Sequence, residues 1–561
     1  MRVELDVAGV PRTAPIGTRR SPLRPVEPPR RRIGWFELAV LGAFVAVSLW
    51  VVGLDLFQVV ANGRVWTHTD GVYVVDQMQY LAWIQSASHH VLSANMFVIH
   101  GTPADYLQPA VAISAGLTAL GVAPWLALLL WKPVAVVVTF FAFEAFIRRT
   151  VPGVWPRRVA LVLALFFGSF TIVGGSFGVL GDLFAGFLSW GYTLGLLAVG
   201  LMVAALVCYE GARGRGSRRL AWAAALLGAA SSSLHPWQGE LMILIVLGSE
   251  VAAWRGTRRR PGLALPFMTL VATGIPLAYY LLLGHFDSSW TYARDASKHA
   301  FPFWAIALAL APLLIASIPA WRRRPRTFLE TVTRVWPLAA VAIFVLSATA
   351  LSATPLHSVE GITLPLSVLA VEGVQRAGFG RLRHRWLIAC VLVAAVTIPA
   401  TYWELRTAKT LAAPTPGNAN FITGSEQDAL RYLADNRTPG GVLARFYLGA
   451  VVPAETGRRT FVGDCLWSEP DCSGRAVLAQ HLLDGTIQGA RARRLVNGVG
   501  AHFVLTDCTA PPSVGRMLAP ISSSVHRFGC AAVYQLRSPG APERALAESQ
   551  PNAALRSPGR D

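Results

Sequence analysis

Long apolar runs alternate along this chain with short polar loops, and the loops come in two kinds. Apolar runs lie near 34–57, 125–147, 159–177, 190–209, 219–235, 239–254, 263–284, 302–321, 336–353, 358–375 and 386–403. A hydrocarbon core takes about 20 residues of apolar helix, fewer where Trp or Arg anchors the ends. Eleven membrane spans are therefore expected. The stretch 107–122 is short and broken by Gly116 and Gly121, and counting it would place Arg148 and Arg149 on the far side. It reads as a re-entrant or interfacial helix. The span at 358–375 is the most polar, with Glu372 and Gln375 near its end.

Arginine clusters occupy every second loop, at 12–32, 148–158, 213–219, 255–260, 322–334 and 376–385. The intervening loops, near 61–106, 176–190, 234–240, 284–302 and 353–362, hold only Arg64, Arg294 and Lys298 as strong cations. Positive loops stay in the cytoplasm because they resist translocation. The N-terminus is thus expected inside. An odd span count puts the C-terminal residues outside.

Composition agrees with this plan. A mean hydropathy of +0.46, with 53% apolar and 14% charged residues, excludes an ordinary soluble protein. The net charge of +19 is parcelled into inter-span loops, so an anionic inner leaflet accounts for it better than nucleic acid does. Only Lys132, Lys298 and Lys409 are lysines, an arginine bias that suits a GC-rich bacterial genome, and the spans are then expected to lie in a bacterial plasma membrane. Residues 1–33 form a Pro/Arg-rich tail, expected to be cytoplasmic and disordered and too polar for a signal peptide.

From 404 the composition becomes that of a soluble domain. Ser425 to Asp428 resembles a capping box opening a helix Ala429–Asp435. Strands are expected at Val442–Phe446, Thr460–Val462, His502–Thr506 and Ala531–Leu536, with helices at Arg475–Leu483 and Ala490–Val499. That alternation suits a small α/β domain over 404–537, followed by a disordered tail at 538–561. Cys465, Cys472, Cys508 and Cys530 all fall here, and their spacing matches no zinc pair. Two disulfides fit an oxidising compartment, with Cys465–Cys472 and Cys508–Cys530 favoured among three pairings.

The outer loops carry the polar residues of chemical interest. A helix is expected over Asp76–His90, with Asp76 at its start and Asp70 six positions before, and its Met78, Leu81, Ala82 and Ile84 form an apolar face that suits a helix lying on the membrane surface. The two carboxylates could share a divalent metal or act as base and partner; equally, Asp70 could start a turn and Asp76 cap the helix. Asp182 sits in an apolar, glycine-rich segment, where a carboxylate marks either a site or an interfacial cap. His235, Pro236 and Trp237 lie with Glu240 in the hairpin between two spans, after three serines. Arg294 and Lys298 stand among Trp290, Tyr292 and Asp295, a mixture suited to sugar stacking or phosphate clamping. His357 and Glu360 make a further outer pair.

These features resemble the GT-C superfamily of integral-membrane glycosyltransferases. The similarity lies in the first span, the long outer loop with Asp76-Gln-Met-Gln-Tyr80-Leu-Ala-Trp-Ile, and His235-Pro236-Trp237. It covers roughly 34–404 as architecture, and no Asp-Asp or DxD motif is present. The resemblance implies transfer of a sugar from a polyprenyl-phosphate donor to an extracytoplasmic glycan, lipid or protein acceptor, with inversion. Asp76 would be the base and Asp70 its support or fellow metal ligand. Tyr80, Asp182, His235, Trp237, Arg294 and Lys298 would bind substrate. A secondary transporter, or a non-catalytic cell-envelope assembly protein, is the alternative; polar groups gathered at one face and an odd span count disfavour the transporter.

Overall fold

A computed structural model describes residues 34–70, 72–168, 183–257, 262–297, 303–347, 355–378, 384–415 and 417–537. The two tails expected at 1–33 and 538–561 lie outside these residues, as do Asp182 and Lys298.

Helix occupies the described part of each of the eleven apolar segments. Among the described residues, six helices are long and apolar enough to cross a membrane by themselves, or seven if the bent pair Phe303–Ala309 and Ala311–Trp321 is one span. The expected eleven crossings are therefore not established. The shortfall has plain causes. Val154–Phe166 and Thr363–Arg376 have 13 and 14 residues, and Pro236–Thr257 carries Glu240, Glu250 and Arg255. Inside the bundle, Phe140, Phe143, Phe146, Trp190 and Trp336 are fully buried, while Leu49, Ile275, Leu282, Ile315 and Ile398 are exposed. An apolar interior under an apolar surface is what a lipid solvent requires.

The arginine-bearing helix ends are tied together by ion pairs. Glu372 receives Arg334 at 2.9 Å, Arg323 at 3.2 Å and Arg376 at 3.3 Å. Glu250 receives Arg213 at 2.9 Å and the Tyr209 hydroxyl at 2.9 Å.

After α1 (Trp35–Asn62) the chain forms β1 (Val65–Trp66), α2 (Val74–His90), β2 (Ser93–Ala94), β3 (Ala104–Tyr106) and α3 (Pro109–Ala119). β2 and β3 pair with each other. β1 pairs antiparallel with β4 (Phe421–Ile422), which stitches the first outer loop to the C-terminal residues. The adjacent Asn420 donates to Asp55 Oδ1 at 2.9 Å.

α2 departs from the surface-lying helix expected of it. Met78 and Leu81 are buried in one core with Leu430, Leu448 and Phe503 of the C-terminal unit. Ala82 and Ile84 join a second cluster with Trp83, Tyr106 and Trp467. Gln77, Gln79 and Ser86 are buried too, so protein encloses the helix as far as Ala87 and only His89 and His90 at its end are exposed. Nor does Asp76 cap it. Tyr73 holds the cap position and Asp76 lies inside the first turn, where a negative charge favours the helix dipole.

The last long apolar helix, Arg385–Leu411, runs on through the boundary expected at 404. Thr423 and Glu426 then form the capping box of helix Gly424–Asp435, two residues before the expected one, with Thr423 N donating to Glu426 Oε2 at 2.8 Å. A mixed sheet follows, made of β5 (Val442–Leu443), β6 (Phe503–Thr506), β7 (Ser522–Phe528) and β8 (Ala531–Leu536) in the order β5-β6-β8-β7. β5 and β6 are parallel and the other pairings antiparallel. The strand expected over Val442–Phe446 stops at Leu443, and Phe446 begins a helix reaching Thr456. Thr460 contributes one bridge to Val442 in place of a strand. Sequence gave no hint of β7, because an edge strand of largely exposed polar residues has no apolar alternation to read. Disulfides join Cys465 to Cys472 and Cys508 to Cys530.

Candidate functional site

Four distant segments deliver side chains to one place at the end of the bundle opposite the arginine pairs. The first turn of α2 presents Asp76, and Tyr80 follows one turn on, since residues four apart share a helix face. Pro236 cannot continue helix Arg218–Leu234 but suits a first helical position, which leaves His235 in extended backbone and starts the next helix at Pro236 itself. The short helical turn Pro355–Val359 brings His357, and Glu360 follows it. Tyr192 stands at the N-cap of helix Thr193–Arg215.

These groups close a ring. The Tyr192 hydroxyl lies 3.0 Å from His235 Nε2 and 3.4 Å from His357 Nε2. On the other side Glu360 Oε1 lies 2.5 Å from His357 Nδ1, and Glu360 Oε2 lies 3.5 Å from His235 Nδ1. Gln238 donates to Glu360 Oε2 at 3.0 Å. The Trp237 ring stands 4.8 Å from that of His235 and 4.5 Å from that of His357. His235 and Glu360 are buried, and among the described residues neither an arginine nor a lysine pairs with Glu360.

Asp76 borders this ring. Burial pushes its carboxyl up to about 6, against the smaller pull of the His357 charge. Tyr80 is driven further from ionisation by burial and by the charges of Asp76 and Glu360, so its hydroxyl remains a donor.

A second carboxylate comes from the C-terminal unit. Asp464 is buried, its Oδ1 accepts from Leu466 N at 2.8 Å, and its Oδ2 has no hydrogen-bond partner. Burial and, after it, the charge of Asp76 push this carboxyl up to about 8. Two glycines allow the approach. A Cβ at Gly463 would stand 2.3 Å from the carbonyl carbon of Gly449, so the backbone beside Asp464 packs directly on helix Phe446–Thr456. The Cys465–Cys472 disulfide closes the loop. Trp467 then packs on Trp83 and Trp290 with ring centres 5.3 and 4.8 Å away, and Asn95 donates to its carbonyl at 2.9 Å.

Of the residues the sequence proposes, Asp76, Tyr80, His235 and Trp237 come together, joined by the pair His357 and Glu360. Asp70 does not. It is buried in an ion pair with Lys132, which also contacts the Ser48 and Ser189 carbonyls, and its backbone N–H donates to Gln77 Oε1 at 2.6 Å. A metal shared by Asp70 and Asp76 therefore has no counterpart here. Among the described residues, the group able to hold an ion is His235, His357 and Glu360, whose ligand atoms lie within 4.8 Å of one another. Two imidazoles and a carboxylate are zinc-type ligands, and the buried Nδ1 of His235 has no hydrogen-bond partner. Arg294 stays on its own loop, bonded to the Gly284 carbonyl at 3.2 Å and near Asp295 at 3.4 Å. Sequence reasoning missed Tyr192, Gln238 and Asp464. A signal existed only for Asp464, an acid between glycine and cysteine in a segment otherwise apolar.

No known protein-family profile matches the chain, and no curated protein does. Solved structures do match. The apo oligosaccharyltransferase of Archaeoglobus fulgidus aligns with a TM-score of 0.50 at 14% identity, over 84% of this chain and 70% of that one. The Archaeoglobus fulgidus oligosaccharyltransferase AglB, in complex with an inhibitory peptide and a dolichol-phosphate, aligns at 0.46 and 13% identity, over 84% and 69%. ArnT of Cupriavidus metallidurans, also apo, aligns at 0.45 and 14%, over 90% and 99%. The likeness to the first of these is one of fold, and it agrees with the GT-C architecture that the sequence resembles.

Proposed function

We propose that this protein transfers a sugar from a polyprenyl-phosphate-linked donor to an acceptor hydroxyl on the extracytoplasmic face of a bacterial plasma membrane. The observation that supports this most is Asp76, a carboxylate poised at about 6 beside the ring of His235, His357 and Glu360. A general base works best with a pKa near the operating pH. The acceptor oxygen attacks the anomeric carbon, its proton passes to Asp76, and the bond from that carbon to the phosphate oxygen breaks. The electron pair leaves with the polyprenyl phosphate, and one displacement inverts the centre. Asp464, held protonated at neutral pH, donates a hydrogen bond to a sugar or acceptor oxygen.

The departing phosphate needs donors or positive charge. Tyr80, Tyr192 and the imidazoles supply donors, and Arg294, Lys298 and Asp182 keep the substrate-binding roles assigned from sequence. A divalent ion held by His235, His357 and Glu360 would neutralise phosphate charge. In this reading the N-terminus is cytoplasmic, and the unit that follows helix Arg385–Leu411, with both its disulfides, is outside.

Two experiments test the proposal. Membranes containing the wild type are expected to transfer label from a radiolabelled polyprenyl-phosphate sugar, and membranes with Asp76→Asn to lack this; near-normal turnover by the variant rejects the base. A membrane-impermeant thiol reagent should label Cys465 and Cys508 in intact, reduced cells. Labelling only after the membrane is opened overturns the topology.

A further inference from the structure

On the far side of α2 from its first turn, a cleft of about 620 Å³ opens between that helix and the C-terminal unit. Its size falls within the range of small-ligand sites. His89 and His90 of α2 line it, facing Arg437, Arg458 and Arg459, and no carboxylate is among its lining residues. Asp76 lies 13 residues before His89, about 20 Å along a helix that rises 1.5 Å per residue. The cleft is thus separate from the ring.

The positive charge of this cleft is built in. Arg458 donates to the carbonyls of Leu433, Thr438, Gly440 and Asn436, and Arg459 to those of Asn95 and His100. These bonds fix both guanidinium groups while leaving their charge unneutralised, since carbonyl oxygens carry none. Arg437, His89 and His90 are exposed beside them, and Gln85 adds an amide. Two anchored cations, three accessible nitrogenous side chains and an uncharged polar lining match a ligand that carries both hydroxyls and anionic groups.

We infer that this cleft binds an anionic glycan, whose carboxylate or phosphate groups are held by Arg437, His89 and His90 over the fixed charges of Arg458 and Arg459. This does not depend on glycosyl transfer and is read by binding alone. The full chain, purified in detergent, is titrated with a tetrameric oligogalacturonate, a phosphorylated maltotetraose, unmodified maltotetraose and a short polyglutamate. At least one of the two acidic sugars should bind, and which of them does tells carboxylate from phosphate. Unmodified maltotetraose should bind at least about tenfold more weakly, the scale of one charge-assisted hydrogen bond. Arg437→Ala with His89→Ala should weaken acidic-sugar binding by about tenfold or more, and Asp76→Asn should leave it unchanged. Arg437 and His89 are both exposed, so their replacement opens no core, and unfolding temperature checks this. Equal binding of the neutral sugar, no effect of the double variant, or polyglutamate binding as tightly as the sugars overturns the inference.

Discussion

Glu360 and Glu372 flank and end the same helix, Thr363–Arg376, yet they have opposite surroundings. Glu372 meets three guanidinium groups, Arg323, Arg334 and Arg376, at 2.9–3.3 Å. Glu360 meets two imidazoles and an amide, with no arginine or lysine paired to it among the described residues. Asp76 and Asp464 extend the second pattern, each lifted out of the usual carboxylate range by burial. An acid matched by arginines is finished business for the fold. An acid buried without a cation stays costly unless something else binds there, and that asymmetry separates the bracing end of the bundle from the end that holds the candidate site.

The strongest break of this comparison is Asp76→Asn, which keeps shape and removes the basic oxygen. Transfer is expected to fall about 10²–10⁴-fold, with donor affinity kept, when turnover and donor binding are measured separately. Next comes Asp70→Asn, six residues away. It leaves Lys132 buried without its carboxylate, so about 3–5 kcal/mol of stability should be lost. Pairing it with Lys132→Met should restore much of the unfolding temperature, which no rescue of Asp76→Asn would do. A smaller effect is expected of Glu372→Gln. It should lower stability by about 1–3 kcal/mol, through unsatisfied arginine donors, and leave turnover per folded molecule unchanged. A larger loss of turnover than of stability would erase the distinction between the two ends.

The finest test is the pH profile. Asp76 must be ionised to accept a proton, so turnover should fall as pH drops through about 6, well above an ordinary carboxylate. Asp464 must be protonated to donate, so turnover should also fall as pH rises through about 8. The two limbs belong to a coupled pair. Asp464→Asn keeps a donor and should remove the alkaline limb alone. A profile unchanged by that variant would exclude Asp464 from the site.

The apolar runs made the helices legible, because burial in lipid demands long uninterrupted hydrophobicity. His235-Pro236-Trp237 was legible because proline exposes its neighbour at a helix end, and Asp76 with Tyr80 because four-residue spacing puts both on one face. Asp70 was not distinguishable from Asp76. Asp70 lies in a loop and its partner Lys132 on the distant helix Trp131–Thr150, and pairing across such a distance leaves no local pattern. α2 misled for a related reason, since an apolar face says that something covers it and not whether lipid or protein does. Asp464 escaped because its environment is made by Gly449, Gly463 and a disulfide acting together.

The ladder between β1 and β4 has a consequence for how the molecule comes into being. β1 and α2 leave the ribosome early, and the residues that pair with β1 and cover Met78 and Leu81 come only near the end. Until then α2 has no lid for its apolar side and Asp76 no neighbour at position 464. A nascent or truncated chain can therefore insert its helices and still lack a finished site, so competence arrives late in synthesis and all at once.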